Sequence, residues 1–491
     1  MARKRKEFPE IHNVEISGIA AEGKAFAKIK LQENDETPMV VFIPFGAPGD
    51  IVDIKVDKKK HSYAEAHITK IEQNSPIRII PKCEYFGVCG GCKWQHIPYV
   101  EQLKFKRQQV VDALTRIGKI EIPEVPMTLG SENIWDYRNK MEYTFSNKRW
   151  KSWEEIRGEV ATSDETNALG FHIPGSFDKV LQISNCCLQE ATGDKIRNFI
   201  YNYAIENNYS FYDIKNNRGL LRTLMIRPLI SGEVLVCLSF GEEDQEKMNS
   251  LMDALLTEFP EITTLVYLVN TKLNDTIADQ EIKTYYGPGY IEERMGELRF
   301  RISAKSFYQT NSRQAERLYE VAAEFAGLKD KGIKENKPLV YDLYTGAGTI
   351  ANYVAKNASK VIGIEYVEDA IKDAKINSEI NGIKNTEFYA GDMKNVLTQE
   401  FIERHGKPDI MIVDPPRAGM HEDVVSVILA SEPDTIVYVS CNPATQARDL
   451  ALMDSKYSVT KVQPVDMFPH THHVENVIKL ERRATDKDAV S

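Results

Sequence analysis

The feature that most constrains this chain is the alternation of short apolar runs with helical segments in its last third. Five runs, "LVYDLYTG", "KVIGIEY", "EFYAGD", "DIMIVDPP" and "TIVYVSC", follow one another up to Cys441, with helix-like stretches between them. Apolar strands that alternate with helices bury both faces in a mostly parallel, doubly wound sheet. In such a sheet, ligands gather outside the carboxyl ends of the strands. The residues at those ends therefore carry the functional reading.

The first run leads into "TGAGTIA", where Gly346 and Gly348 allow a tight turn into a helix whose N-terminus faces a ligand. The second ends on Glu365, 19 residues beyond Gly346, where a carboxylate can accept both hydroxyls of a ribose. The pair points to a nucleoside-containing cofactor, either NAD-like or S-adenosylmethionine. Three features favour the latter. Asp342 and Tyr344 stand at the first strand end, where a methionine ammonium and an adenosine would lie. Asp392, in "AGDM", ends the third run and is placed to meet an adenine edge. Asp414 opens "DPPR", in which Arg417 replaces the aromatic residue that follows Asp-Pro-Pro in amino-methyltransferases, so an adenine amine is a less natural substrate.

Cys441 closes the fifth run. A thiolate beside a methyl donor has a specific use in pyrimidine chemistry: addition to C6 of uracil turns C5 into an enolate carbon that takes a methyl group. A base must then remove the C5 proton. Glu475, in "FPHTHHVENV", precedes a last apolar strand, where burial raises a carboxyl pKa into a useful range. His470, His472 and His473 lie close by but lack a fourth nearby ligand for a metal.

Upstream, residues 10–75 read as short strands with turns, as in a small antiparallel barrel or sandwich. "CEYFGVCGGCKWQ" then sets Cys83, Cys89 and Cys92 in a C-x5-C-G-G-C arrangement, and "ISNCCLQ" supplies Cys186 or Cys187 as a fourth thiolate. Four thiolates can hold zinc or an iron–sulfur cluster. A helix is expected over 100–118, and strands dominate from Tyr137 to about Leu298.

With 491 residues, 42% of them hydrophobic, the chain exceeds a single core, and two to four domains are expected. A net charge of -10, from 62 Lys+Arg against 72 Asp+Glu, argues against a simple basic nucleic-acid-binding chain. It leaves room for local basic clusters, found at Arg3 to Lys6, Lys58 to His61 and Lys104 to Arg107. Seven cysteines are too few and too oddly spaced for a disulfide scaffold, so a reducing, cytoplasmic compartment is expected. No run approaches the ~20 apolar residues of a membrane span. The "EFPEIHN" that comes after the basic N-terminus is no secretory h-region.

Together with "FYQTN" (Phe307 to Asn311), "DLYTGAGT", "GIE", "DPPRAG", "SCNPAT" and "FPHTHHVE" occur in the order and rough spacing of RNA uracil-5-methyltransferases, which the chain resembles over nearly its whole length. The resemblance implies that Cys441 is the nucleophile and Glu475 the base. It places Gln309, Tyr344, Glu365, Asp392 and Asp414 around the methyl donor and the uracil, with Thr349 standing where some members have Asn. The thiol motif resembles the 4Fe-4S site of the ribosomal-RNA branch, with Cys186 as fourth ligand and Cys187 as its buried neighbour; spacing alone leaves zinc open.

The first segment looks like the RNA-binding barrel called TRAM. The resemblance as a whole implies a three-part monomeric enzyme: an OB-like TRAM β-barrel over 1–75, a β-rich central domain with the cluster over 76–299, and a Rossmann-like α/β methyltransferase domain over 300–491. The helix 100–118 is expected on the catalytic domain. The expected substrate is RNA with an unstacked uridine, 23S ribosomal RNA ahead of tRNA. The rival readings are RNA cytosine-5 methylation, an iron–sulfur NAD oxidoreductase and a non-catalytic RNA-binding protein. The oxidoreductase leaves Cys441, Glu475 and the Asp-Pro-Pro motif without a role, and a non-catalytic protein would be expected to have lost the nucleophile or the base.

Overall fold

The computed structural model describes residues 8, 10–31, 36–160, 165–329 and 336–484; the basic cluster at Arg3 to Lys6 lies outside them. The five apolar runs form one sheet with two further strands. Numbered within this sheet, they are β1 (Leu339–Leu343), β2 (Lys360–Glu365), β3 (Thr386–Ala390), β4 (Ile410–Val413), β5 (Thr435–Ser440), β6 (Tyr457–Val465) and β7 (Glu475–Arg482). The spatial order is β3-β2-β1-β4-β5-β7-β6. Strands β1 to β5 pair in parallel. Strand β7 enters between β5 and β6 and runs antiparallel to both. Val340, Val361, Ile412 and Val437 have almost no exposure, because helices cover both faces of the sheet.

Three other parts surround this sheet. Residues 10–73 form a six-stranded, mostly antiparallel sheet around Val14, Ala27, Val41, Ile43, Val52 and Ile54. A second seven-stranded sheet runs from Met141–Ser146 to Lys283–Tyr286, with the helices Ala191–Glu206 and Gln245–Glu258 against one face. Its other face, through Met225, Leu235, Cys237 and Val266, shares a core with Val340, Ile350, Val439 and Val477 of the C-terminal sheet. The hairpin Ile291–Met295 with Leu298–Ile302 lies inside that shared core, so the domain boundary expected after 299 falls within a strand. No helix among the described residues is long and apolar enough to cross a membrane.

The helix Tyr99–Asp112 continues as a wider π turn over Ala113–Gly118. Val110, Ala113 and Leu114 pack with Ala447, Leu450 and Val462 on the outer side of the C-terminal sheet. The basic run of this helix is only partly a solvated face. Lys106 turns inward and meets Asp466, just after β6, at 2.5 Å, with both side chains 0% exposed. Burial penalises the Lys106 ammonium strongly, and the Asp466 carboxylate opposes that penalty.

Removing one partner of a buried ion pair leaves an uncompensated charge and costs about 3–5 kcal/mol, whereas an apolar pair of similar volume can be neutral. Asp466→Leu is therefore expected to lower the urea midpoint sharply, and Lys106→Met combined with Asp466→Leu to recover most of the loss. Equal midpoints for the single and double variants would show that the two groups are not coupled.

Candidate active site

The antiparallel entry of β7 assembles the site. Strand β5 ends at Ser440 and presents Cys441, while β7 begins at Glu475, and the register pairs Ser440 with Asn476. Two residues far apart in sequence thus meet at the carboxyl edge of the parallel strands. Asp414 leaves the end of β4 on the same edge, its N–H donating to the Leu343 carbonyl at 3.2 Å. The loops after β4 and β5 are tied together: Asn442 Nδ2 and Thr445 Oγ1 each donate to the Arg417 carbonyl at 3.1 Å.

The electrostatics are unusual for a free protein. Glu475 is 5% exposed, and burial, reinforced by Asp414 and opposed by Arg417, pushes its carboxyl up to about 8. Burial and the nearby Asp342 push Asp414 up to about 7. Burial also raises Asp342 to about 7, against a hydrogen bond from the Thr345 hydroxyl. The Cys441 thiol is pushed up to about 11 by burial, then by Glu475 and Asp414; the Arg417 guanidinium, which hydrogen-bonds it, pulls the other way. His472 and His473 are held neutral by burial. A thiol and three acids therefore share one small volume, with Arg417 as the cation acting on Cys441 and Glu475.

Beside them lies a second group. Tyr344 follows β1 in left-handed backbone, φ 65°, uncommon for a residue with a side chain and costing strain. Its hydroxyl is within electrostatic range of Asp392 and Glu365. Glu365, at the end of β2, receives the Gly346 N–H at 3.1 Å and the Val367 N–H at 2.9 Å. Gly348 adopts φ 74°, where a Cβ would come within 2.9 Å of Ala374 Cβ, and it caps the helix that Thr349 opens. Asp392 caps Met393–Val396 and remains partly exposed.

Gln309 precedes Asn311, which caps the helix Ser312–Phe325 and so fixes where that helix starts. The Gln309 side chain bonds the Tyr319 hydroxyl, which faces Asp414 and Asp342. The structure thus brings Gln309, Tyr344, Glu365, Asp392, Asp414, Cys441 and Glu475 to one sheet edge, with Thr349 buried just behind. Sequence reasoning missed Tyr319, one of 22 tyrosines, for which no local signal existed. It saw Arg417 only as a departure from a motif, although "DPPR" was itself the signal.

The other cysteines gather elsewhere. Cys83, Cys89, Cys92, Cys186 and Cys187 all line one cavity of about 520 Å³, together with Phe307, Tyr308 and Thr471. Cys187, expected only as a buried neighbour, lines the cavity too, and its thiol contacts Cys83. Gly90 turns the loop at φ 81°, and a Cβ there would strike Pro174 at 2.5 Å. Burial and mutual repulsion push the Cys83 and Cys92 thiols up to about 12. Among the described residues no three His, Cys, Asp or Glu side chains stand close enough to share one metal ion.

Comparison with known proteins identifies the family. The family model for tRNA (Uracil-5-)-methyltransferase matches residues 230–483, and that for the TRAM domain matches residues 10–69. A protein of Bacteroides thetaiotaomicron described as an uncharacterized RNA methyltransferase is 55% identical over 95% of this chain and 100% of its own length. One of Porphyromonas gingivalis with the same description is 55% identical over 96% of this chain and 99% of its own. The crystal structure of Pyrococcus abyssi tRNA (uracil-54, C5)-methyltransferase, in complex with S-adenosyl-L-homocysteine, superposes with a TM-score of 0.72. It is 29% identical, over 96% of this chain and 100% of that one. Matches of this extent and identity make the chain a member of the RNA uracil-5-methyltransferase family, with a TRAM domain over residues 10–69.

Proposed function

We propose that the protein methylates C5 of a uridine in RNA, with S-adenosylmethionine as donor, Cys441 as nucleophile and Glu475 as base. The observation that carries this reading is the meeting of Cys441, Glu475 and Asp414 at one buried sheet edge. The Cys441 thiol first gives up its proton to solvent; the thiolate then adds to C6 of the uracil, and the C5–C6 π electrons become an enolate whose charge is available at C5. S-adenosylmethionine, when bound, supplies an electrophilic methyl group on its sulfonium. Once C5 has gained the methyl group, the Glu475 carboxylate takes the C5 proton. The former C5–H pair re-forms the C5–C6 double bond, and the thiolate leaves with the C6–S pair.

The residues beside the pocket fit such a donor. Asp342 Oδ1 is buried with no hydrogen-bond partner among the described residues, next to a second buried acid. A ligand that carries an ammonium and a sulfonium would relieve that crowding of acids. Glu365 and Asp392 would take the ribose and the adenine edge. One chain supplies every residue named, so a monomer suffices.

The thiol cavity is read as the seat of a 4Fe-4S cluster on Cys83, Cys89, Cys92 and Cys186. Its donors are soft thiols, which suit an iron–sulfur cluster and also zinc; the cluster is preferred on the resemblance of the motif. Such a cluster would join the loop 83–92 to the segment after Ile183 and supply a redox-active centre. Anaerobically purified protein is expected to carry about four iron atoms per chain, lost in Cys92→Ser; zinc in their place would refute the cluster.

The substrate class we infer is ribosomal RNA, on the resemblance of the thiol motif and the TRAM segment to the ribosomal branch. One observation favours tRNA instead: the structural match to an enzyme of tRNA uracil-54. Labelled S-adenosylmethionine offered to unmodified ribosomal RNA and tRNA, with digestion to nucleosides, separates them. 5-Methyluridine in ribosomal RNA supports the reading, label only in tRNA transfers the activity to tRNA, and 5-methylcytidine overturns the uracil assignment.

Cys441→Ala is expected to abolish turnover while donor affinity, followed by calorimetry, stays close to that of the parent. Glu475→Gln should instead accumulate a covalent protein–RNA adduct visible on denaturing gels. The pH dependence arises from the raised carboxyl. Below about 8 Glu475 is mostly protonated and cannot accept a proton, so release of the C5 proton, and kcat with it, should climb as pH rises towards about 8. A flat profile between pH 6 and 9 would contradict a buried carboxyl base.

A further inference from the structure

The nine residues between β6 and β7, 466–474, form the connection that delivers Glu475. No hydrogen bond from a described side chain holds the Glu475 carboxyl, so its direction depends on the backbone that leads into β7. That backbone is gripped in an unusual way. His470 adopts φ 66°, a left-handed conformation that a residue with a side chain holds only when its surroundings over-determine it. The surroundings do so. The His470 carbonyl accepts the N–H groups of both Lys93 and Trp94, at 2.8 and 3.0 Å. Its own N–H donates to Gln102 Oε1 at 2.9 Å, and Gln102 Nε2 lies 3.2 Å from its ring Nδ1. The imidazole stacks on Trp135 with centroids 3.8 Å apart.

The neighbouring carbonyls are held as well. Met467 accepts from Asn311 Nδ2 at 3.2 Å, Phe468 from Lys106 Nζ at 3.0 Å, and Pro469 from the Tyr137 hydroxyl at 3.1 Å. These grips come from parts of the chain outside the C-terminal sheet, and the first begins one residue after Cys92. Burial and the nearby Lys106 hold the imidazole well below its usual pKa, so His470 is neutral and serves as a shape. An ordinary sheet connection needs no such convergence.

We propose that His470, locked by Gln102, Trp135 and the backbone of Lys93 and Trp94, is a positioning residue that aims the Glu475 carboxylate at the C5 proton. The inference rests on the reading of Glu475 as base. It assigns His470 no contact with substrate. Its effect falls on one step: proton removal and release of the thiolate slow down, while addition of Cys441 and methyl transfer continue.

The test uses the full-length protein, its methyl donor, and a transcript of whichever of the two RNAs accepts label, carrying tritium at C5 of uridine. His470→Ala and Gln102→Leu are compared with the parent for methyl transfer in a single turnover, tritium release, and the fraction of RNA trapped as covalent adduct. Misplacement of a catalytic group by about 1 Å costs on the order of a hundredfold. Tritium release should therefore fall by roughly ten- to a hundredfold, with adduct accumulating and methyl transfer nearly unchanged. Gln102→Glu, which keeps the acceptor for the His470 N–H and loses the donors, should lie between Gln102→Leu and the parent and guards against loss of folding in the harsher variants. A proportionate fall in methyl transfer and tritium release, or an adduct fraction equal to that of the parent, would overturn the proposal. Glu475→Gln run alongside separates the two levels. If it traps no adduct, the base assignment fails; if it does and His470→Ala does not, only the positioning role fails.

Discussion

The reversal of β7 is the constraint on which the site depends. Were this strand parallel to its neighbours, its first residue would emerge at the opposite edge of the sheet. Eight residues of strand at about 3.3 Å each would then separate Glu475 from Cys441 by roughly 26 Å. Antiparallel entry brings them to one edge but imposes a cost elsewhere. The connection from β6 must reach that edge without the regular sheet around it, so its carbonyls need partners from other parts of the molecule. The helix Tyr99–Asp112, the residues after Cys92 and the N-terminal sheet all reach this connection. Even Gly23 is packed so closely on His472 that a Cβ would come within 2.6 Å of it.

The electrostatic character of the pocket has the same origin. Strand ends that converge on a switch point bring their terminal residues together whatever their charge, and here most of those residues are acids. Burial keeps Asp342, Asp414 and Glu475 substantially protonated, which makes the crowding tolerable in the free protein. Arg417, beside Cys441, is the counterweight, and its backbone is fixed by the very loop that carries the thiol.

These facts explain how much was legible in the sequence. Strands β1, β2, β4 and β5 are largely apolar runs, because both faces are covered, while β3 at the edge is less so, and each of the five ends on, or is followed within two residues by, a residue proposed for the site. Strand β6, "YSVTKVQPV", was not legible: at the sheet edge it alternates Tyr457, Val459 and Val462 with Thr460 and Lys461, a pattern that many surface segments share. The partners of Cys441 were readable by motif, but the order β5-β7-β6 was not, since it depends on which edge a later strand finds. Tyr319 and Lys106 show the same limit. Each sits in an ordinary amphipathic helix, and only tertiary packing distinguishes it from its neighbours. The gathering of Cys83, Cys89, Cys92 and Cys186 was expected from their motif, whereas the shared core across the boundary near 299 was not, because apolar content does not say which sheet will cover it.

The buried pair between Lys106 and Asp466 joins residues 360 positions apart. At about 5–20 residues per second, a ribosome needs roughly 20–70 s to travel between them. Throughout that interval the helix Tyr99–Asp112 has neither its counter-ion nor the strands on which Val110 and Leu114 pack. The N-terminal sheet, by contrast, draws its strand pairings from residues 10–73 alone. During synthesis these strands can pair well before the parts they pack against are made. The segment 457–482 is what seals the helix, the site edge and the central sheet into a single unit, so a chain interrupted before it leaves an exposed core.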